Sequence, residues 1–252
     1  NYPGIPGIDG YSLGEKFREH AESLGVEFTE AQVLSLGQKD GIWIIGCDED
    51  ITLESKAVIY ATGCKNRPLG VPGEEKYYGR GLSFCAVCDG AFYKGKRVAV
   101  IGGGDTALDD AMYLSDICEK VYLVHRREFF RGSASILEKL KQKENVEIIV
   151  NARVEEITGD KKIDGIILDN KTKLNISGLF AAVGMIPQTE LLKEFGVLDE
   201  SNYVKASEDT KTTVNGLFAA GDVRTKQLRQ VVTAAADGAN AIYSVMEYLR
   251  NI

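Results

Sequence analysis

The 252-residue sequence has no apolar run that approaches the ~18 residues needed for a membrane-spanning helix. It does not open with a basic segment followed by an apolar stretch, which is the pattern of a secretory signal. Proline is scarce, with 5 residues, and the 5 cysteines are an odd number. Few, unpaired cysteines are typical of an intracellular protein with mostly free thiols. These absences predict a soluble, cytoplasmic protein that does not insert into a membrane.

Positive charge is also in deficit, with 30 Lys and Arg against 37 Asp and Glu and a formal net charge of −7. A nucleic-acid binder usually carries a basic face, so this acidity argues against a nucleic-acid partner. Glycine, by contrast, is abundant, with 27 residues. Many glycines with little proline are typical of tight turns and of close backbone–ligand approach, as in nucleotide-binding α/β proteins.

The middle of the chain alternates strands and helices. The pattern predicts strands over 97–101, 120–124 and 146–150, with a helix to about residue 114 and another over 133–144. This βαβαβ order is that of a dinucleotide-binding half. A small antiparallel meander is predicted over 153–180 and a C-terminal helix over 230–249. Nearer the N-terminus, the pattern predicts a helix with a cap at Ser12, followed by short strands over 26–28, 41–46 and 57–61. Stretches rich in glycine and proline near 64–82 and 184–187 predict two crossings between domains.

A glycine turn joins the first of these strands to the following helix, in the pattern Gly102-x-Gly104-x-x-Ala107. Glycines let the backbone approach a pyrophosphate, and the helix N-terminus offers free N–H groups. Ala107 would keep the helix close to the strand. We interpret the turn, with Asp105 and Thr106 inside it, as a dinucleotide site; the alternative is a turn without a ligand.

Arginines follow the second strand, where an NAD enzyme would carry a carboxylate for the ribose hydroxyl. This chain has His125, Arg126 and Arg127 there, with Arg131 one turn on. Guanidinium forks suit a 2′-phosphate, which a carboxylate would repel. The sequence therefore predicts NADP(H) as the cofactor, and the alternative is a solvated basic patch.

Two cysteines at close spacing, Cys85 and Cys88, are followed directly by Asp89. Such a pair can close a reducible disulfide or share a metal. Zinc would need two more ligands, and no second pair is present, so we expect no metal site and favour a redox-active pair over buried structural thiols. Asp89 could exchange protons with the dithiol, although a helix or turn cap is its alternative role.

A further strand–turn–helix pattern closes the chain. An apolar strand ends at Gly221-Asp222, and Arg229-Gln230 opens the last helix. This arrangement suits a ribityl or phosphate group beside a ring that becomes anionic on reduction. An ordinary strand–turn–helix without a ligand is the alternative.

Together these motifs resemble those of the low-molecular-weight, bacterial-type thioredoxin reductases, and the resemblance covers essentially the whole chain. The matching segments read ATG at 61–63, CAVCDG at 85–90, GGGDTA at 102–107, HRREFFR at 125–131 and AAGDV at 219–223, followed by Arg229-Gln230. The CAVCDG and HRR motifs, in this order, are the most specific. Related flavoproteins share the dithiol motif or the fold but lack one of these elements.

The resemblance implies an α/β fold with two nested Rossmann-like domains, the NADPH domain being inserted into the FAD domain. Residues 1–68 and 187–252 would form the FAD domain, and 69–186 the NADPH domain. The implied activity passes electrons from NADPH through FAD and the dithiol to a thioredoxin-like protein disulfide, in a homodimer. A flavin reductase serving another disulfide protein, glutaredoxin-like or peroxidase-linked, and a non-catalytic NADPH-binding module are the alternatives.

The resemblance also implies roles for single residues. Cys88 would lie against the flavin, Cys85 would attack thioredoxin, and Asp89 would be the acid–base group. Asp222 would hold the FAD ribityl chain. The other implied FAD-site residues are Asn1, Ala61, Thr62, Gly63, Gly221, Arg229 and Gln230. The family begins with a further strand–glycine turn–helix for the FAD pyrophosphate that is not in this sequence, and we expect weak FAD binding without it.

Overall fold

The computed structural model describes residues 2–252, which form two compact units. The discontinuous unit combines the described residues up to Lys65 with Ile186–Ile252, and the inserted unit is Asn66–Met185. The two connections between them carry short strands, β5 (Cys64–Asn66) and β14 (Met185–Pro187), which pair with each other. No helix within residues 2–252 is both long and apolar enough to cross a membrane.

The inserted unit is built on a parallel sheet of five strands in the spatial order β6-β13-β7-β8-β9. The strands are β6 (Leu82–Ser83), β7 (Arg97–Gly102), β8 (Lys120–Val124), β9 (Val146–Ile149) and β13 (Gly178–Ala182). Three helices accompany them: α2 (Ala86–Asp89), α3 (Asp105–Ser115) and α4 (Ala134–Lys141). The predicted βαβαβ order is confirmed as β7-α3-β8-α4-β9.

The central strand β7 is buried on both faces, which explains its continuous apolar sequence. Val98 and Val100 face one hydrophobic cluster, which contains Leu108 of α3 and Phe180 of β13. Ala99 faces the other cluster. That second cluster includes the antiparallel strands β10 (Val154–Thr158), β11 (Gly165–Leu168) and β12 (Lys173–Asn175).

The predicted meander over 153–180 is correct for β10, β11 and β12 and wrong at its end. The segment from Gly178 onward turns back into the parallel sheet as β13, between β6 and β7. Gly178 accommodates this because a Cβ there would lie 2.5 Å from a ring carbon of Tyr93. Only a non-local pairing distinguishes β13 from a fourth meander strand.

The discontinuous unit begins with α1 (Gly10–Ser23), which starts earlier than the predicted cap at Ser12. Asp9 is the N-cap, and its Oδ1 accepts the Ser12 N–H at 3.0 Å. An antiparallel sheet follows, made of β1 (Val33–Lys39), β2 (Ile42–Cys47) and β3 (Thr52–Ser55). A predicted strand over 26–28 is absent.

The remainder of this unit supplies a parallel strand pair and a long helix. Strand β4 (Val58–Tyr60) pairs with β15 (Leu217–Ala219), and α5 (Val231–Arg250) is the predicted C-terminal helix. Short 3-10 helices lie at Glu74–Tyr77 and Gly90–Tyr93 in the inserted unit, and at Glu190–Phe195 and Gly221–Val223 in the discontinuous unit. The turn between β15 and α5 contains the Gly221-Asp222 motif.

A buried carboxylate, Glu74, organises the loop that opens the inserted unit. Its Oε1 accepts the Leu69 N–H at 3.2 Å, and its Oε2 accepts those of Gly70 and Val71 at 2.8 and 3.1 Å. The Tyr78 hydroxyl donates to the same carboxylate at 3.1 Å. One side chain therefore accepts the backbone hydrogen bonds that carbonyl groups would accept in a regular helix or strand.

We expect Glu74→Ala to lower the free energy of unfolding by about 1–3 kcal/mol, because it leaves the buried Val71 N–H and two part-buried backbone N–H groups without an acceptor. Thermal or denaturant unfolding of the full chain measures this. The matched control is Glu75→Ala, whose side chain is exposed and should change stability by no more than about 0.5 kcal/mol. Equal losses in the two variants would contradict the assigned role of Glu74.

Candidate functional site

The cysteine pair lies in the inserted unit, where Cys85 and Cys88 form a disulfide with their Cα atoms 5.3 Å apart. Cys85 caps the N-terminus of α2, and its Sγ accepts the Cys88 N–H at 3.2 Å. Cys85 is half-buried and Cys88 is exposed. The other three cysteines remain free thiols. Within the part of the chain that the structure describes, no group of His, Cys, Asp and Glu could hold a metal ion.

Asp89 ends α2, and its carboxylate is bound to Ser83. The Ser83 Oγ donates to Asp89 Oδ2 at 2.6 Å and accepts the Cys85 N–H at 3.1 Å. The serine thus connects the carboxylate to the backbone of the disulfide. The Asp89 carboxylate makes no capping hydrogen bond to the helix backbone, which was its alternative role. Nothing in the spacing of the sequence singled out Ser83.

The glycine turn is closely packed at Gly102 and open at Gly104. A Cβ on Gly102 would lie 2.5 Å from the Ala182 carbonyl oxygen and 2.7 Å from the Ala107 Cβ. Ala107 therefore brings α3 close to β7, as predicted. A Cβ on Gly104, which caps α3, would meet no atom within 4 Å. The backbone at Gly104 is accessible to a ligand.

The arginine segment is hydrogen-bonded to this turn. The backbone N–H groups of Arg131 and Gly132 donate to the Gly103 carbonyl at 2.7 and 3.2 Å. Asp105, predicted to contact the cofactor, accepts the Ser133 N–H at 2.7 Å and so ties α3 to the same segment. Loop and turn form one surface in the inserted unit.

The basic residues themselves divide into two groups. His125 is buried, its ring fills the space that a side chain at Gly103 would need, and its Nε2 lies 3.2 Å from the Phe129 carbonyl. Burial lowers the pKa of His125 and so favours the neutral ring. The side chains of Arg126, Arg127 and Arg131 are exposed. Histidine packs under the turn, and the arginines supply the positive charge.

A cavity of about 340 Å³ lies in the discontinuous unit, lined by Ile59, Ala61, Gly63, Cys64, Ala220, Gly221, Asp222, Ala234 and Gly238. Of the FAD-site residues predicted from the sequence, Ala61, Gly63, Gly221 and Asp222 line it. The small residues Ala234 and Gly238, one turn apart on α5, were missed, although their spacing on the helix is a readable signal. Asn1 lies outside the described residues.

Asp222 is the polar group of this cavity. Its Oδ1 is buried and has no hydrogen-bond partner. Burial raises the pKa of Asp222, while the charges of Lys226 and Arg229 lower it. A buried carboxylate oxygen without a donor is costly unless a ligand completes it. The residues present therefore fit a ligand that donates hydroxyl groups, as the ribityl chain of FAD does.

Three predicted FAD-site residues make other contacts. The Thr62 hydroxyl donates to the Gln188 carbonyl at 2.6 Å. Arg229 lies over the Tyr203 ring at 4.1 Å and donates from Nε to the Asp222 carbonyl at 3.2 Å. Gln230 caps α5. These side chains shape the walls of the site, and their contact with a cofactor stays a prediction.

Comparison with known proteins gives a consistent result. The pyridine nucleotide-disulphide oxidoreductase family matches residues 8–238. The thioredoxin reductase of Listeria monocytogenes is 37% identical over 258 residues, which cover 100% of this chain and 81% of that protein. The thioredoxin reductase of Helicobacter pylori is 39% identical over 263 residues, covering 100% of this chain and 85% of that protein.

Solved structures agree. The thioredoxin reductase of Streptococcus pyogenes superposes with a TM-score of 0.91 at 38% identity, covering 100% of this chain and 84% of that one. The thioredoxin reductase from Giardia duodenalis gives a TM-score of 0.90 at 37% identity, covering 99% and 84%. The likeness extends over both units.

Two substitutions in the glycine turn should separate packing from ligand approach. Gly102→Ala should lower the free energy of unfolding by about 1–3 kcal/mol, because its methyl group meets backbone and a buried methyl. Gly104→Ala should leave stability nearly unchanged, because its methyl group enters open space, but raise the Kd for NADPH by about tenfold. Thermal unfolding and NADPH titration measure the two effects. Normal NADPH binding by the Gly104 variant would show that the turn does not hold the dinucleotide.

Proposed function

We propose that electrons leave this protein through the Cys85–Cys88 disulfide. The chain belongs to the pyridine nucleotide-disulphide oxidoreductase family and, within it, to the thioredoxin reductases. The enzyme is an NADPH-dependent thioredoxin-disulfide oxidoreductase that uses FAD. The observation that carries the proposal is the disulfide itself, formed across one turn of α2 with Cys88 exposed. A structural disulfide would more commonly be buried and would close a longer loop.

The two units are assigned to the two cofactors. The inserted unit is the NADPH domain, corresponding to the predicted range 69–186, and the discontinuous unit is the FAD domain, corresponding to 1–68 and 187–252. The open backbone at Gly104 and the exposed arginines support the first assignment. The cavity with its unpaired Asp222 oxygen supports the second.

FAD, when bound, supplies the two-electron relay between NADPH and the disulfide. Two electrons and one proton convert the disulfide into a thiolate and a thiol. We place the thiolate at Cys85, because its Sγ accepts the Cys88 N–H at the N-terminus of α2. Asp89, held by Ser83, is the proposed acid–base group beside the pair.

The exchange with the partner then proceeds by thiolate attack. The Cys85 thiolate attacks one sulfur of the partner disulfide, which forms a mixed disulfide and releases a partner thiolate that takes a proton from water. Asp89 accepts the Cys88 proton, and the Cys88 thiolate attacks the Cys85 sulfur. The Cys85–Cys88 bond re-forms, and the second partner sulfur leaves with the proton held on Asp89.

A thioredoxin-like protein is the proposed partner. Val87, between the two cysteines, and Phe92, four residues after Cys88 in the next 3-10 helix, expose large apolar side chains. Exposed apolar groups next to a reactive site favour docking of another protein over a small polar substrate. The homodimer and the cytoplasmic location implied by the resemblance stay predictions.

Replacing both Arg126 and Arg127 with Ala should raise the KM for NADPH by tenfold or more and leave that for NADH almost unchanged. Each charge-assisted contact with the 2′-phosphate is worth about 1.5–3 kcal/mol, and NADH has no such phosphate. Steady-state kinetics with each cofactor measures this. Arg153→Ala, at an exposed position of the same unit, is the control. Equal losses with NADPH and NADH would contradict the assignment.

With FAD added in excess, because weak FAD binding is expected, the wild-type protein should oxidise NADPH when oxidised thioredoxin is supplied, and Cys88→Ser should abolish turnover. This variant should trap thioredoxin as a mixed disulfide through Cys85, because no resolving thiol remains. Non-reducing electrophoresis and mass spectrometry identify the adduct. Cys47→Ser, at a free thiol of the other unit, should retain turnover. An adduct that forms only in Cys85→Ser would reverse the roles, and no NADPH oxidation by the wild type would contradict the proposed function.

A further inference from the structure

A second carboxylate, Asp237 on α5, lies next to the Gly221-Asp222 turn. Unlike Asp222, it has a hydrogen-bond donor for each of its two oxygens. Its Oδ2 accepts the Gly221 N–H at 2.8 Å, Arg224 Nε at 2.8 Å and Lys226 Nζ at 2.7 Å, and its Oδ1 accepts Arg224 Nη2 at 2.7 Å. One carboxylate therefore holds the backbone at the start of the turn and two cations after it.

The cluster is buried and carries full charges. The side chains of Asp237, Arg224 and Lys226 are 4%, 3% and 7% exposed. Burial alone would raise the pKa of Asp237, but hydrogen bonds from Arg224, Lys226 and Gly221 lower it to about 2. Buried ion pairs seldom stabilise a fold more than apolar packing of the same volume would. A contribution to folding stability therefore does not by itself explain this cluster.

The Asp222 backbone is fixed from the other side as well. Its carbonyl accepts Arg229 Nε at 3.2 Å and Cys64 Sγ at 2.9 Å. Gly221 has φ +78°, a conformation that it adopts at little cost and in which its N–H meets Asp237. The backbone from which the Asp222 carboxylate projects is therefore held on both sides.

We propose that Asp237 is a positioning residue for the FAD site: it holds the Gly221–Arg224 turn so that the unpaired Asp222 oxygen meets the ligand already oriented. This inference rests on the assignment of the cavity to FAD. Preorganisation of this kind lowers the cost of binding, because the turn is ordered before the ligand arrives. Asp237 acts through the conformation of the turn and does not need to contact FAD.

The test removes the cluster without leaving a buried charge unpaired. The triple variant Arg224→Met, Lys226→Met, Asp237→Leu replaces three buried ions with apolar side chains of similar length, which commonly preserves stability. We expect the variant to fold with a moderately lower thermal midpoint than the wild type, because the buried Gly221 N–H loses its acceptor. We also expect backbone amides of residues 220–226 to exchange hydrogen at least about tenfold faster, and the Kd for FAD to rise at least about tenfold. Amides of the α5 helix should be unaffected.

Two controls make the outcome specific. Glu247→Gln removes an exposed carboxylate on the same helix that pairs with Lys211, and it should change neither exchange nor FAD binding. NADPH affinity, which belongs to the inserted unit, should be unchanged in every variant. If the triple variant does not fold, Asp237→Glu provides the comparison: it keeps a negative charge for the two buried cations but its longer side chain shifts the carboxylate relative to the turn, so FAD affinity should fall and NADPH affinity should be retained.

Unchanged exchange in 220–226 together with unchanged FAD affinity would overturn the positioning role and leave the FAD site intact. A wild-type protein that does not bind FAD would instead contradict the assignment of the cavity, while hydrogen exchange would still report whether Asp237 orders the turn. The two failures are therefore distinguishable.

Discussion

The close approach of helix α3 to the end of strand β7 is the constraint on which the inserted unit depends. At Gly102, the Ala182 carbonyl and the Ala107 methyl group occupy the space that a Cβ would need. At Gly103, the His125 ring occupies that space. Three neighbouring segments thus meet at two residues without side chains. The positions of α3 and of the arginine loop depend on this contact, because neither could approach the end of β7 as closely past a Cβ.

This part of the molecule was largely predictable, since its signals are local. The apolar run of β7, the glycines after it and the arginines after β8 lie within one short stretch of chain. The role of Ala107 in bringing α3 to the strand was also predictable, because it depends only on the spacing of the glycine motif.

Other features depend on residues far apart in the chain and escaped sequence reasoning. β13 resembles a further meander strand until its pairing with β6 and β7 is known. The predicted strand over 26–28 has the right residue types but no neighbouring strand to pair with. Ser83 and Asp237 owe their importance to a few hydrogen bonds with specific partners. A polar residue whose role is set by individual contacts leaves no periodic pattern to detect.

The two carboxylates beside the Gly221 turn differ in their hydrogen bonding, and this difference distinguishes a ligand-binding role from a structural one. Asp237 accepts four hydrogen bonds, so its bonding capacity is used within the protein. Asp222 lies one residue from Gly221 and keeps a buried oxygen with no donor, an arrangement that costs free energy as long as no ligand is bound. Folding alone would favour removing that cost, for example by an apolar residue at 222. The unpaired oxygen is therefore better explained by a ligand than by the fold, and the saturated carboxylate by the need to hold it in place.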